Sequence, residues 1–323
     1  MAADSSTQLE AQAREQLHDG SSSVWPVVSL AAAGCLWGTG FFFGKIAFAE
    51  MNVFENCGYR FIFGCLGLLP ILWKRPPRFR DRHAWMLLLA ASIVGVPVQF
   101  LMQFKGLQLT TVSHASLIVG ILPVLLALSS AALFKDKLKR YEYALMLLSA
   151  LGAVLIAFSR KSVGGPQPTV TGDLLVFVSM FAALVMILIS KRLMTEYGSL
   201  QVTATMLVIG TVILLAWTEV THPVRIHFST RVWLAVMAQG FLATTGAYVF
   251  WNWGLARVPA ARAGVFLNLE PLIGTLLGLA ILHERLGPIG ILGGAMILSS
   301  AGYFSRRPGS GDGQRLNAEV AEK

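Results

Sequence analysis

Gly106-Leu107-Gln108-Leu109-Thr110-Thr111-Val112-Ser113-His114-Ala115 and Gly254-Leu255-Ala256-Arg257-Val258-Pro259-Ala260-Ala261-Arg262-Ala263 are two versions of one segment, and setting the second over the first decides the fold. In that register Pro123 meets Pro271, Asp136 meets Glu284 and Leu138 meets Leu286. Small insertions in loops also bring Lys45 onto Lys191, and Phe158-Ser159-Arg160 onto Phe304-Ser305-Arg306. The chain is a tandem repeat. Each copy carries an odd number of apolar runs, so the second must enter a bilayer upside down relative to the first. Inverted repeats of this kind are the architecture of many secondary transporters.

Of the 323 residues, 55% are hydrophobic and 13% charged, with a mean hydropathy of +0.63. Soluble domains carry about 25% charged residues, so no soluble single-domain reading fits. About ten apolar stretches can be marked, from roughly 25–49 to roughly 288–305, against the ~20 residues a helix needs to cross a ~30 Å hydrocarbon core. The expected fold class is an all-α membrane protein with ten transmembrane helices in two inverted five-helix repeats. The expected boundaries are a flexible cytoplasmic tail at 1–23, a first repeat at 24–159, a linker at 160–169, a second repeat at 170–305 and a flexible cytoplasmic tail at 306–323. The linker is marked by Gly164-Gly165-Pro166-Gln167-Pro168.

Lys and Arg number 26 against 17 acids, a net charge of +9 that in a soluble protein would favour nucleic acid. Its placement gives it another cause. With the N-terminus inside, the inward loops and tail hold Lys74, Arg75, Arg78, Arg80, Arg82, Lys135, Lys137, Lys139, Arg140, Arg306 and Arg307 among others, while the outward loops hold Lys105, Arg160, Lys161, Arg225, Arg231 and Arg285. The bias, roughly three to one, places both termini in the cytoplasm by the positive-inside rule. The expected location is the cytoplasmic (inner) membrane, with lipid and a small-molecule substrate as partners and no nucleic acid. The oligomeric state is left open.

Cys35, Cys57 and Cys65 lie inside apolar stretches without C-x-x-C spacing, supporting neither a disulfide framework nor a metal site. Asp4, Glu10, Glu15 and Asp19 precede the first apolar run, the reverse of a secretory n-region, so no cleaved signal peptide is expected. His283-Glu284-Arg285-Leu286-Gly287 lacks the second histidine of a zinc-peptidase helix, and Gly38-Thr39-Gly40 is not a phosphate loop. Neither enzymatic activity nor a cofactor is expected.

Candidate site residues come from polar and helix-breaking groups at membrane depth. Pro123 and Pro271 fall near the middle of the fourth and ninth apolar stretches, where each removes one backbone donor and displaces the carbonyl four residues earlier, at Val119 and Leu267. Mated interruptions at that depth either line a polar cavity or merely kink the helix. Glu270 is the one acid placed deep in a span, at ~15 Å from either surface, where a carboxyl must be protonated, paired or hydrated. It suits a proton-coupling group, or else a structural acid bonded across helices. Its repeat mate is Leu122, and Asn268 stands close enough in sequence to satisfy a freed backbone or carboxyl group.

Lys45 and Arg60 lie in the outer thirds of the first two spans, where they either snorkel to the interface or form a positive vestibule for an anionic or zwitterionic substrate, with Gln103 and His114 nearby. Gln99 and Gln103 share a helix face at i, i+4 and Gln239 sits mid-span; such amides serve as interhelical glue or line a solute path. Trp37 lies too deep for an interfacial belt and reads as a cavity wall or a packing residue. Trp251 and Trp253 fall at the inner interface and read as anchors. Gly34 with Gly38, and Gly40 with Gly44, have close-packing spacing.

Leu36-Trp37-Gly38 leading to Gly44-Lys45, then Tyr59-Arg60-Phe61, then Leu269-Glu270-Pro271 followed by His283-Glu284-Arg285-Leu286, resemble the EamA family of the drug/metabolite transporter superfamily. The resemblance covers nearly all of 27–305; Lys135-Asp136-Lys137-Leu138 departs from it, with aspartate where the family's glutamate is usual. It implies two inverted five-helix repeats around a central cavity, working by alternating access, often as exporters of amino acids or other small metabolites. The expected function is thus a secondary active or facilitative transporter of small organic metabolites with a possible coupling proton. The alternative is a membrane-embedded enzyme or receptor using the same bundle.

Overall fold

The structure, a computed structural model, describes residues 24–74, 76, 79, 81–110, 118–133, 139–159, 169–221, 225–282 and 288–306. Among them every regular element is a helix. The first half of the chain forms α1 (Trp25–Ala47), α2 (Val53–Lys74), α3 (Arg82–Ile93), α4 (Gln99–Leu109), α5 (Leu122–Leu133) and α6 (Arg140–Ser159). The second forms α7 (Val170–Tyr197), α8 (Ser199–Thr221), α9 (Thr230–Gly240), α10 (Ala247–Leu255), α11 (Ala260–Gly264), α12 (Leu269–Leu282) and α13 (Pro288–Arg306). Among the described residues six stretches are long and apolar enough to cross a membrane: Trp25–Gly44, Val53–Lys74, Arg82–Leu109, Val170–Tyr197, Ser199–Glu219 and Thr230–Leu255. Lipid offers backbone groups no partners, so a spanning segment must satisfy its own N–H and C=O groups, as these helices do.

The helix ends carry local signals. Asn52 and Glu55 form a reciprocal cap at the start of α2, each side chain accepting the other residue's backbone N–H at 2.9 and 2.8 Å. Thr169 caps α7 and Ser229 caps α9 through their hydroxyls. Gly198 ends α7 at φ 79°, a backbone conformation that favours glycine.

Two features interrupt the helices in repeat-related positions. Val94–Val98 joins α3 to α4 as a π-helical turn, and Phe241–Gly246 joins α9 to α10 in the same way. After each turn an amide reaches five residues back: Gln99 N–H to Val94 O, and Ala247 N–H to Leu242 O. The register that pairs Pro123 with Pro271 lays one π turn over the other. Pro97 therefore has no proline mate, yet its turn has a structural one.

The second interruption precedes each proline. A turn at Gly120 and Ile121 comes before α5, and a 3₁₀ turn, Val265–Asn268, comes before α12. Pro123 and Pro271 thus occupy the first turns of their helices rather than the middle of one continuous helix. A first-turn residue has no intrahelical acceptor for its N–H, so proline costs little there. The break expected at each proline is completed just ahead of it.

The two halves interleave. Helix α1 packs on α9, α10 and α12, α2 on α8 and α9, α4 on α7, and α6 on α13. Close approach depends on glycine at defined points. A Cβ added at Gly38 would stand 2.7 Å from both the Glu270 carbonyl oxygen and the Ile273 Cβ, so only glycine seats α1 on α12 there. Gly44 faces Gln239 on α9 instead.

Ion pairs tie the ends of the bundle. Arg225 donates from Nε and Nη2 to the two carboxylate oxygens of Glu55 at 2.7 and 2.8 Å, and from Nη2 to the Glu50 carbonyl at 2.9 Å. The Glu50 carboxylate accepts the Ser229 N–H at 2.8 Å. Hydrogen bonds to Glu55 hold the Arg225 guanidinium above its ordinary range, and those from Ser229 hold the Glu50 carboxyl below its own. Elsewhere Arg262 pairs with Glu142 at 2.8 Å, and Lys191 donates to the Leu255 and Val258 carbonyls at 2.9 and 2.7 Å beyond α10.

Candidate functional site

Where the halves meet, α1, α2, α4, α7 and α10 and the starts of α5 and α12 enclose one cavity. The space open to the centres of water-sized molecules is about 70 Å³, several times what a single water needs on that measure. Val119 and Leu122 line it from the first interrupted segment, and their repeat mates Leu267 and Glu270 line it from the second. The two helix breaks therefore border the same space, one from each half. Two sequence-equivalent pairs meet there, and only one of the four residues, Glu270, is ionisable.

Arg60 projects from α2 into this cavity and is 4% exposed, so it does not snorkel to a surface. Its Nε donates to the Thr244 hydroxyl at 2.8 Å and its Nη2 to the Ala243 carbonyl at 3.1 Å, both on the second π turn. The guanidinium carbon lies 4.8 Å from the Phe100 ring centroid, 5.6 Å from that of Phe61 and 5.8 Å from that of Phe104. A cation against ring faces gains electrostatic stabilisation, and more so where water is excluded. Among the described residues no carboxylate forms an ion pair with it.

Glu270 borders the same cavity within electrostatic reach of Arg60 and Tyr248, again without a direct hydrogen bond or ion pair among the described residues. Trp37 forms one wall, edge-on to Tyr248 at 5.5 Å and tilted against Trp251 at 5.4 Å. Two lining residues each hold a buried polar atom without a partner among the described residues: Gln99 Oε1, a hydrogen-bond acceptor, and Trp251 Nε1, a donor. Such orphans are costly in a dry interior and are met by water or a ligand. The site thus combines aromatic walls, one cation, one carboxyl and unspent amide and indole groups.

The structure brings together Trp37, Arg60, Gln99, Gln103 and Glu270, and sets Gln239, Asn268, Pro123 and Pro271 outside the cavity lining. Gln239 lies outside the cavity lining, donating to the Gly40 carbonyl at 2.9 Å and accepting from Asn56 Nδ2 at 3.0 Å, which makes it a clasp between α1, α2 and α9. Asn268 donates to the Ser149 hydroxyl at 3.0 Å and ties the 3₁₀ turn to α6 rather than to Glu270. Pro123 and Pro271 shape the breaks without lining the cavity. His114, linker residues 160–168 and the His283–Gly287 stretch lie outside the described residues, as does the Lys45 side chain.

Trp251 departs from its expected place. It is 1% exposed and packs inward on Trp37, whereas an interfacial anchor must reach the headgroups. Trp253, partly exposed under the Arg257 guanidinium at 4.1 Å, keeps the anchor geometry. Tyr248, Phe100, Phe104, Met180, Met186 and Ile187 also line the cavity and were not singled out from sequence. Met180, Ala183 and Ile187 follow helical spacing on α7, but that spacing marks any buried face. Among the described residues no three His, Cys, Asp or Glu side chains converge as metal ligands.

Apolar helices of spanning length, interrupted around one cavity lined from both halves, define a polytopic membrane protein with an internal site. The model of the EamA-like transporter family matches residues 24–158 and again 170–306. The chain belongs to this family and is a multi-pass membrane transporter. It is similar to an uncharacterized transporter of Archaeoglobus fulgidus, 26% identical over 279 residues that cover 85% of this chain and 94% of the relative. The uncharacterized transporter YetK of Bacillus subtilis is 24% identical over 278 residues, 84% of each chain. A crystal structure 20% identical in sequence covers 90% of this chain and 100% of its own with a TM-score of 0.74, a likeness of fold.

Proposed function

We propose that this transporter is a secondary carrier that exports small organic metabolites, such as amino acids, across the cytoplasmic membrane by alternating access. Ten transmembrane helices in two inverted five-helix repeats, 24–159 and 170–305, rock about the shared cavity, with both termini in the cytoplasm. The observation that carries this is the meeting of the mated breaks, Val119 and Leu122 with Leu267 and Glu270, on one cavity wall. Interrupted helices at a repeat interface give a solute polar backbone and side-chain contacts while leaving each half able to bend. The modest number of polar groups suits a carrier, which must release what it binds. Glu270, half-buried on the cavity wall and without a hydrogen bond or ion pair among the described residues, is the coupling group in this proposal.

The test is reconstitution. Purified protein in liposomes is loaded with labelled amino acids and nucleosides, and flux is measured with and without a pH gradient. Solute flux dependent on the protein is expected. Absence of flux for every solute class, together with turnover of a lipid, would instead favour a membrane-embedded enzyme.

A further inference from the structure

Arg60 owes its place to an irregularity in another helix. In a regular α-helix the Ala247 N–H would bond to the Ala243 carbonyl four residues back. Across the π turn it bonds to Leu242 and Thr244 instead, and the Ala243 carbonyl accepts from Arg60 Nη2 at 3.1 Å. The next residue, Thr244, offers its hydroxyl to Arg60 Nε at 2.8 Å. Glycines permit the approach: a Cβ at Gly64 would come within 2.7 Å of Thr244 Cγ2, and one at Gly240 within 2.7 Å of the Arg60 carbonyl. Single π turns cluster at functional sites because they release backbone groups for other work.

We infer that the π turn Phe241–Gly246 is a seat that presents Arg60 to the carboxylate of the solute, with Thr244 as its positioning residue. This rests on the carrier proposal for the same cavity. One edge of the guanidinium, Nε with Nη2, is spent on the turn and its faces lie against phenylalanine rings, so its orientation is set before a solute arrives. The remaining guanidinium N–H groups and Trp251 Nε1 have no acceptor among the described residues, and both residues line the cavity. A planar carboxylate is the acceptor that a guanidinium edge matches best. A dianion such as phosphate is disfavoured, because Arg60 is the single cation on the described lining and a carboxyl, Glu270, stands beside it rather than a second base. Gln99 Oε1, an acceptor without a donor, is left to take an ammonium or hydroxyl group of the same solute. The assigned class is therefore a small monocarboxylate whose other polar group is a hydrogen-bond donor.

The experiment uses the full chain in lipid nanodiscs with ¹⁵N-labelled arginine, the Arg60 side-chain signals being those lost in Arg60→Lys. Sodium acetate serves as the bare carboxylate probe and sodium chloride at equal ionic strength as control. Acetate alone should shift the Arg60 signals saturably. Thr244→Val should move the Nε signal and weaken the acetate response about tenfold, the equivalent of one charge-assisted hydrogen bond, while Thr244→Ser restores both. Thr244→Ala serves in place of the valine variant if the latter lacks a cooperative thermal transition. The inference is overturned if acetate leaves the wild-type signals unmoved, if the valine or alanine variant responds as wild type does, or if serine fails to restore the response. Because acetate binding requires no transport, a wild-type protein that binds acetate at Arg60 but moves no solute would defeat the carrier proposal and leave the seat standing.

Discussion

Gln239→Leu should cost the protein stability and Gln99→Leu should not, although both glutamines are buried amides at membrane depth. Gln239 is bonded at both ends, to the Gly40 carbonyl at 2.9 Å and from Asn56 at 3.0 Å. Leucine fills similar space but leaves Asn56 Nδ2 without its acceptor, and Asn56 Oδ1 already lacks a partner among the described residues. A buried polar group stripped of its partner costs about 1–3 kcal/mol. Interhelical bonds within a bilayer average only ~0.6 kcal/mol, because the unfolded chain finds other partners there. Two lost bonds therefore amount to about 1–3 kcal/mol. At Gln99 the sign changes: its Oε1 has no partner among the described residues, so leucine removes a buried orphan and stability holds or rises slightly. The solute loses an acceptor, and KM should rise. Reversible unfolding in mixed micelles of rising SDS content gives the first quantity, and initial flux into liposomes the second. A Gln239→Leu protein as stable as wild type, or a Gln99→Leu protein weakened by more than about 1 kcal/mol, would refute this division of roles.

Further outcomes are expected from the same geometry. Glu270→Gln should abolish pH-dependent flux while the protein remains folded; retained pH dependence reduces Glu270 to a structural acid. Gly38→Ala should lower stability by about 1–3 kcal/mol through overpacking against Glu270 and Ile273, whereas Gly302→Ala, whose added Cβ meets nothing within 4 Å, should not; equal unfolding midpoints would contradict that. The Glu50 carboxyl is held below its ordinary value of 4.5 by Ser229. Its stabilising contribution is therefore present above that value and lost as pH falls through the lowered one. Ser229→Pro removes the N–H donor, so acid unfolding followed by circular dichroism should lose this component; an identical acid limb would count against the clasp.

The repeat made the all-helical, duplicated plan and the pairing of the breaks legible in sequence, because Pro123 and Pro271 align together with Val119, Leu122 and their mates. Rotational phase was not legible. Each π turn inserts one extra residue, which turns the following helix by about 100° relative to a regular one. A face read from Thr230 onward therefore does not continue into α10. Gln239, before the turn, becomes a clasp, while Tyr248 and Trp251, after it, come to face the cavity. Neither turn has a sequence signature strong enough to reveal it; Thr244 and Thr245 read as ordinary small residues in a membrane helix. Arg60 could be placed at depth by counting residues, but its inward direction depends on the distant Ala243 carbonyl.

The account turns on a cavity that opens to each side of the membrane in turn, and Leu122, the uncharged mate of Glu270 on its wall, is the place to test it. With Cys35, Cys57 and Cys65 replaced, Leu122→Cys is exposed to a small charged, membrane-impermeant thiol reagent in sealed right-side-out and inside-out vesicles. Alternating access predicts labelling from both faces. Labelling from one face only, while solute flux continues, would contradict it.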